Sequence, residues 1–323
     1  MVEAREVDPQ DEAGLSAWYA ALRAGATAGR AAPLIATYGS MAVSFRQPGP
    51  RVRRLPVAAV DGDRTVGALL LDLPQTENLS IAHVEIAVPP AERGRGVGAA
   101  LWEWTRQRAA AAGRTVLQSE IHVPAGETVE TWPGARFAAA RGFTSRHVED
   151  HLVLDLPAAT PPLAVPGGYE LVTWAGPCPP ERVDDLAAMR TAMARDVPAG
   201  EMIREPPAWD ADQVRTAEER MARSYLSLVA MLRSAAGEPS GYTNILLPRD
   251  EPDDAFQDDT FVATAHRRRG LATVLKTANL AQLHQHAACR LHTWTAPDNA
   301  PMQATNARFG FGAVERTHTY ELS

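Results

Sequence analysis

The chain repeats itself, and nothing else in its 323 residues restricts the fold as much. Shifting the sequence by 174 positions lays Val66-Gly67-Ala68 on Ser240-Gly241-Tyr242, Leu73-Pro74 on Leu247-Pro248, and the run from Glu85 to Val88 on that from Asp259 to Val262. The same shift lays Arg93, Gly96, Gly98 and Leu101 on Arg267, Gly270, Ala272 and Leu275, and after a short deletion Gly142-Phe143 meets Gly310-Phe311. Matches in one order at one near-constant offset are the mark of a duplicated domain, so whatever one half builds the other should build too. Between the copies, DLPAATPPLAVPGG has the Pro and Gly content of a linker. The expected layout is one domain over 1–156, a linker over 157–168 and a second domain over 169–323.

Each half reads as an α/β unit. In the first, VAAV and TVGALLLDL flank the turn DGD as a hairpin would, and HVEIAV is a further strand. Val97 to Ala112 carries apolar residues at helical spacing and stops at Gly113, TVLQSEI is again strand-like, Ala135 to Arg141 reads as a short helix, and HLVLDL closes the half. The second copy repeats this order, with Leu271 to Ala287 as the corresponding helix, RLHTWT as the next strand and HTYEL as the last.

A net charge of −7 and a pI near 5.7 argue against a nucleic-acid binder, which needs a basic face to neutralise phosphates. No run approaches the roughly 18 apolar residues of a membrane span, and the first residues offer no leader peptide, so a soluble cytoplasmic protein without membrane contact is expected. Cys178 and Cys289 form no metal-spaced group and read as reduced thiols. His284 and His286 sit two apart on a helix and share no face, and His147 and His151 lack a third ligand, so no metal site is expected.

The segment joining strand to helix is AERGRGVGAAL in the first half and AHRRRGLATVL in the second. A literal GxGxxA at Gly94, Gly96 and Ala99 invites a dinucleotide reading, but Arg268 replaces Gly94 in the second copy; both copies keep only Arg-x-x-Gly-x-small. Small residues there let main chain approach a ligand and aim free N–H groups at it, while the helix dipole and arginines favour an anion. A pyrophosphate fits that description.

With both copies of this turn in view, each half resembles a GCN5-related N-acetyltransferase (GNAT) domain, whose signature Q/R-x-x-G-x-G/A opens the helix that binds the pyrophosphate of acetyl-CoA. The later ARFAAARGF and NARFGF resemble the family's segment beside the pantetheine arm. The resemblance covers nearly the whole chain as a tandem pair, as in mycothiol synthase-like proteins. It implies a mixed α/β fold, two GNAT-like domains each with a central, mostly antiparallel twisted sheet and helices on both faces. It also implies acetyl-CoA as co-substrate, no metal, and direct attack of an amine on the thioester in a ternary complex. Cofactor contacts would come from Ile86, Val88, Arg93, Gly94, Arg95, Gly96, Val97 and Gly98 in the first half. In the second they would come from Thr260, Val262, Arg267, Arg268, Arg269, Gly270, Leu271, Ala272, Thr273 and Asn299.

The family's usual acid is a tyrosine four residues before the Gly-Phe pair; here Ala138 and Asn306 stand in that place. Its usual carboxylate base lies nine or eleven residues before the signature arginine, which gives Asp258 in the second half and Val84 in the first. Strand alternation puts Asp258, Thr260 and Val262 on one face, with Asp259 opposite and structural like its counterpart Glu85. DEPDDAFQDD, with six acids in ten residues, reads either as an acidic mouth for a cationic acceptor or as a solvated loop. The resulting expectation is an N-acetyltransferase for the primary amine of a small metabolite or antibiotic, with the second half catalytic through Asp258 and Asn306 and the first half structural. A non-catalytic acyl-CoA sensor or scaffold is the rival. A monomer with pseudo-dimeric halves or a homodimer suits either.

Overall fold

The computed structural model describes residues 2–196 and 200–323. The chain divides into two compact units whose bounds differ from the two sequence halves: the first holds 2–149, 200–205 and 314–323, and the second 150–196 and 206–313.

In the first unit, β1 (Glu3–Glu6), β2 (Val52–Asp61), β3 (Arg64–Pro74) and β4 (Ile81–Ala87) run antiparallel to their neighbours, and β5 (Val116–Pro124) joins β4 in parallel. The turn DGD sits where β2 meets β3, as its sequence dictates. Leu69, Leu71 and Leu73 of β3 pack with Val97, Leu101 and Ala109 of α3 (Val97–Ala111) and Ala135 and Ala138 of α4 (Pro133–Ala139). Ala68, on the other face, packs with Leu15, Trp18 and Leu22 of α1 (Glu12–Ala26) and Phe45 of α2 (Tyr38–Arg46). The two-residue period of β3 thus feeds two cores, one per face.

The second unit repeats this plan. β6 (Thr144–Asp155) enters it from Asp150, and β7 (Tyr169–Ala175), β8 (Tyr225–Ser234), β9 (Pro239–Pro248) and β10 (Asp254–Val262) form an antiparallel run. β11 (Arg290–Thr295) pairs in parallel with β10 and antiparallel with β6. Helices α5 (Val183–Asp196) and α6 (Ala211–Met221) cover one face through Leu186, Met189 and Val214; α7 (Leu271–Leu283) and α8 (Ala300–Phe309) cover the other through Leu275, Leu283 and Phe309. Residues 157–168 carry no helix or strand.

The departure from a simple tandem lies in the last strands. The closing strand of the first half, β6, pairs from Asp150 to Asp155 with β11 of the second unit, whereas β12 (Gly312–Leu322), at the end of the chain, pairs with β5 of the first. Each duplicated half therefore completes the other half's sheet. A buried ion pair fixes β12 in place: Arg30 Nη2 lies 2.5 Å from Glu315 Oε1, and its Nη1 donates to the Ala26 carbonyl at the end of α1. No described helix is long and apolar enough to cross a membrane.

Candidate functional site

In the second unit β10 and β11 pair only from Asp254 to Phe256 with Arg290 to His292, after which β10 continues to Val262 without β11 beside it. The first unit shows the same parting, since β4 pairs with β5 only from Ile81 to His83. A gap between parallel strands leaves main-chain donors and acceptors of both strands unpaired and available to a ligand.

The gap leads to the signature turn. In both copies the first arginine is a tether: Arg93 Nε donates to the Val88 carbonyl at 3.1 Å, and Arg267 Nε to the Val262 carbonyl at 3.0 Å. The glycine that starts the helix adopts positive φ, 84° at Gly96 and 76° at Gly270, a conformation a β-carbon penalises. Neither helix has a side-chain N-cap, so the first N–H groups of α3 and α7 are left for an external acceptor. Open space surrounds both glycines.

Charge separates the two copies. In the first, Arg95 is paired with Glu92 at 2.5 Å and lies 3.5 Å from Asp61, and Glu92 also takes Arg64. Phe137 of α4 lies so close to Gly98 that a methyl there would come within 2.8 Å of the ring, and the Arg141 guanidinium stacks 3.4 Å from the ring centroid. In the second, Arg267 pairs with Asp196 and Arg269 donates to the Tyr169 hydroxyl, a neutral partner. Arg268, at φ 63°, makes no ion pair among the described residues. Ala272 and Thr305 occupy the places of Gly98 and Phe137, and Thr305 turns back to the Pro301 carbonyl. The second turn is thus the more open and the more positive.

The carboxylates on β10 differ from the sequence expectation. Between Gln257 and Thr260 the register against β9 slips by one residue, a β-bulge that the matching β3–β4 pair lacks. Strict alternation fails there. Asp258 lies 3.4 Å from Asn244 Nδ2, and Asp259 Oδ2 accepts from the Tyr242 hydroxyl at 2.5 Å; Tyr242 and Asn244, two apart on β9, share the face under α5. Both aspartates therefore share that face: Asp259 lies opposite Thr260 and Val262 as expected, whereas Asp258 does not share the face of Thr260 and Val262 to which alternation assigned it. Burial pushes the Asp258 carboxyl well above its ordinary range, and the adjacent Asp259 charge adds to the rise while Arg190 opposes it. Asp258 is nonetheless an exposed residue, so its rise is smaller than that of a carboxyl shut away from water.

Glu85, the counterpart of Asp259, pairs across from Leu70 on the α1 side of β3, and burial together with the Glu120 and Asp72 charges lifts it to about 7. Its environment is as perturbed as that of Asp258, which the sequence alone gave no reason to expect.

Asn306 is buried; its Nδ2 donates to Thr295 Oγ1 at 3.0 Å, and no described group bonds its Oδ1. Asn299 instead caps α8, accepting from the Met302 N–H at 3.3 Å. Thr260 Oγ1 faces Thr243 Oγ1 at 2.8 Å. Of the six-acid run, Asp254 is held by Arg290 and His292 and Asp259 by Tyr242, Asp250 to Asp253 lie before β10, about 25 Å of strand from the signature turn, and Asp258 stands exposed on β10.

Two features escaped the sequence reading. His151 is not isolated but joins a buried chain, with Nε2 2.9 Å from His292 Nδ1 and His292 Nε2 3.1 Å from Asp254 Oδ1; Trp294 stacks on His151. Its only sequence signal was a histidine in each of two strands. Arg190 of α5, stacked at 5.3 Å on Trp209, had no signal in the repeat. Among the described residues no group of three or more His, Cys, Asp or Glu could hold a metal ion.

Residues 188–311 match the model of the acetyltransferase (GNAT) family. The whole chain matches the structure of a tandem GNAT protein from the clavulanic acid biosynthesis pathway, solved without acetyl-CoA, at 29% identity and a TM-score of 0.82, covering 100% of this chain and 98% of that one. The chain is a tandem member of the GNAT superfamily. A GCN5-related N-acetyltransferase from Sphaerobacter thermophilus shares the fold with this GNAT protein at 17% identity, a TM-score of 0.69 and coverage of 99% and 95%. So does N-myristoyltransferase from Saccharomyces cerevisiae at 10% identity, 0.61, 99% and 80%. No curated protein matches the sequence. GNAT membership brings acyl-CoA-dependent acetyl transfer as the general chemistry of the fold.

Proposed function

We propose that this tandem GNAT protein is an N-acetyltransferase that moves the acetyl group of acetyl-CoA to a primary amine of a small molecule, and that the second unit performs the reaction. The observation that carries the reading is the bulge in β10, which brings Asp258 beside the strand gap with its proton affinity raised, at the head of the more open and more positive turn. A carboxyl in that condition can take the proton of an incoming ammonium at neutral pH, as an ordinary aspartate cannot. The free amine then attacks the thioester carbonyl and the coenzyme A thiolate leaves.

The N–H groups at the start of α7, with Arg268 and Arg269, would receive the pyrophosphate. Thr260 and Val262, on the α7 face of β10, and Asn306, whose Oδ1 has no bond among the described residues, would line the way to the gap. With Asn306 where relatives carry tyrosine, the departing thiolate takes its proton from water or from the acceptor's own proton through the site. The first unit keeps its turn but sets Phe137 against Gly98 and pairs Arg95 with Glu92, so its role is structural.

Release of free thiol from acetyl-CoA, measured over a panel of primary amines, tests the reading. Turnover that survives Gly96→Val and disappears with Gly270→Val supports it; the reverse assigns the chemistry to the first unit. Stabilisation by acetyl-CoA without turnover on any amine supports a sensor instead.

A further inference from the structure

On the α8 side of the strand gap two neighbouring side chains are almost wholly buried, Asn306 of α8 at 1% exposed and Thr295 of β11 at 3%. Asn306 Nδ2 donates to Thr295 Oγ1 at 3.0 Å, which turns the hydroxyl's own proton away from the amide. No described residue accepts that proton, and none donates to Asn306 Oδ1. A buried donor and a buried acceptor side by side suit a group that accepts one hydrogen bond and donates another. Tethering alone does not account for the pair. Gln303, one turn earlier on α8, already holds the helix to this end of the sheet, with Nε2 3.2 Å from Asp150 Oδ2 and 3.5 Å from the Ala296 carbonyl.

Register fixes where the pair stands. β10 and β11 part after Phe256 and His292, and Thr295 lies three residues further along β11, about 10 Å into the gap. Three residues beyond Phe256 on the other lip is Asp259, within the bulge. Alternation along β11 separates the faces: His292 and Trp294 meet His151 on one side, whereas Leu291 packs with Phe309 of α8 and Thr295 bonds Asn306 on the other. Asp258 lies on the α5 face and the Thr295–Asn306 pair on the α8 face, so the two meet only through the gap.

We infer that Thr295 and Asn306 form the leaving-group site of the second unit. The Thr295 hydroxyl donates to the coenzyme A sulfur as negative charge gathers there, and Asn306, which orients the hydroxyl, accepts a hydrogen bond from the sulfur once it is protonated. This rests on the proposed function and deepens it. The C–S bond breaks with its electron pair going to sulfur, the neutralising proton comes from water or from the acceptor, and Thr295 keeps its own. A donor fixed where charge develops lowers the barrier without moving a proton. The ammonium thus loses its proton on one face of the sheet and the thiolate forms on the other.

The test compares coenzyme A with desulfo-coenzyme A, which carries hydrogen in place of the thiol. By calorimetry the wild type should bind coenzyme A about fivefold to tenfold tighter, the scale of one or two neutral hydrogen bonds. Thr295→Val should erase that margin while desulfo-coenzyme A binds as before; Thr295→Ala, which also lacks the hydroxyl, should match it, and Thr295→Ser should keep the margin. Followed by the ultraviolet absorbance of the thiolate, coenzyme A bound to Thr295→Val should ionise about tenfold less readily than on the wild type, a change that loss of a tether would not produce. With an amine that is turned over, Thr295→Val should lower kcat by about tenfold or more and leave KM for acetyl-CoA, whose sulfur carries no charge, little changed.

Equal affinity of the wild type for the two ligands, equal weakening of both by Thr295→Val and Thr295→Ala, or unchanged ionisation of the bound thiol overturns the inference and leaves the proposed function standing. A margin that both variants erase, in a protein that acetylates no amine, supports the thiol site and sinks the proposed function. Binding of neither ligand overturns both.

Discussion

Lys276 is the single lysine of the chain and is buried in α7, where its only described partner is the Phe311 ring, 5.3 Å from Nζ. The first copy has Trp102 at the equivalent position, packed edge-on against Phe143, so the site was built for an apolar side chain. Burial pushes the Lys276 ammonium down from 10.5 to about 7. Between those two values the folded chain holds fewer protons than the unfolded chain, and stability must rise with pH across that window. At pH 7 the penalty for burying this group is about 4 kcal/mol, and at pH 9 it has fallen to about 2 kcal/mol. Lys276→Met keeps the stem and removes the charge, so it should stabilise the second unit by up to about 4 kcal/mol at pH 7 and by roughly half as much at pH 9. Urea unfolding of both proteins at pH 7, 8 and 9 measures the difference directly. A variant no more stable than wild type, or an advantage that does not shrink as the pH rises, refutes the argument that an uncompensated ammonium sits there.

Other outcomes follow from features already described. Asp258→Asn should lower kcat by about 10²–10⁴ while acetyl-CoA binding stays, and it should erase the fall of kcat/KM on acidification that a raised carboxyl produces well above pH ~4. Arg30→Met removes the closest ion-pair partner of buried Glu315 and should cost up to about 3–5 kcal/mol in the unfolding of the first unit, much of it recovered by adding Glu315→Leu. Asp254 is driven upward by burial, but hydrogen bonds from His292 and Arg290 prevail and hold it at about 2, so its contribution is intact above its unfolded value near 4 and is lost as pH falls toward 2. Replacing Arg290 by Leu together with His292 by Phe should flatten acid unfolding of the second unit over that interval. Residues 1–156 expressed alone should self-associate through the uncovered β5 edge, which gel filtration with light scattering detects.

Much of this was legible because duplication makes one sequence act as two. The hairpin at DGD, the strand RLHTWT and the helices that start at Gly96 and Gly270 stand where local pattern put them, since turn chemistry and periodicity act over a few residues. The exchange of β6 and β12 was not legible. HLVLDL and HTYEL are alike in pattern, and nothing local tells a strand which of two similar sheet edges it will join. Nor could alternation reveal the bulge. An extra residue at Asp258-Asp259 leaves hydrophobic spacing on either side intact, yet it takes Asp258 off the face of Thr260 and Val262 and sets it beside Asp259, whose charge raises it further. Arg190 stayed hidden because it lies on α5, which comes against β9 only after folding.

The crossed placement of the closing strands also orders events during translation. β5 ends at Pro124, but the strand that covers its edge begins only at Gly312, so a ribosome adding about 5–20 residues per second leaves that edge bare for on the order of ten to forty seconds. The nascent chain must survive that interval with β5 unsealed. A helper that shields exposed edges would find its client here before the protein is released.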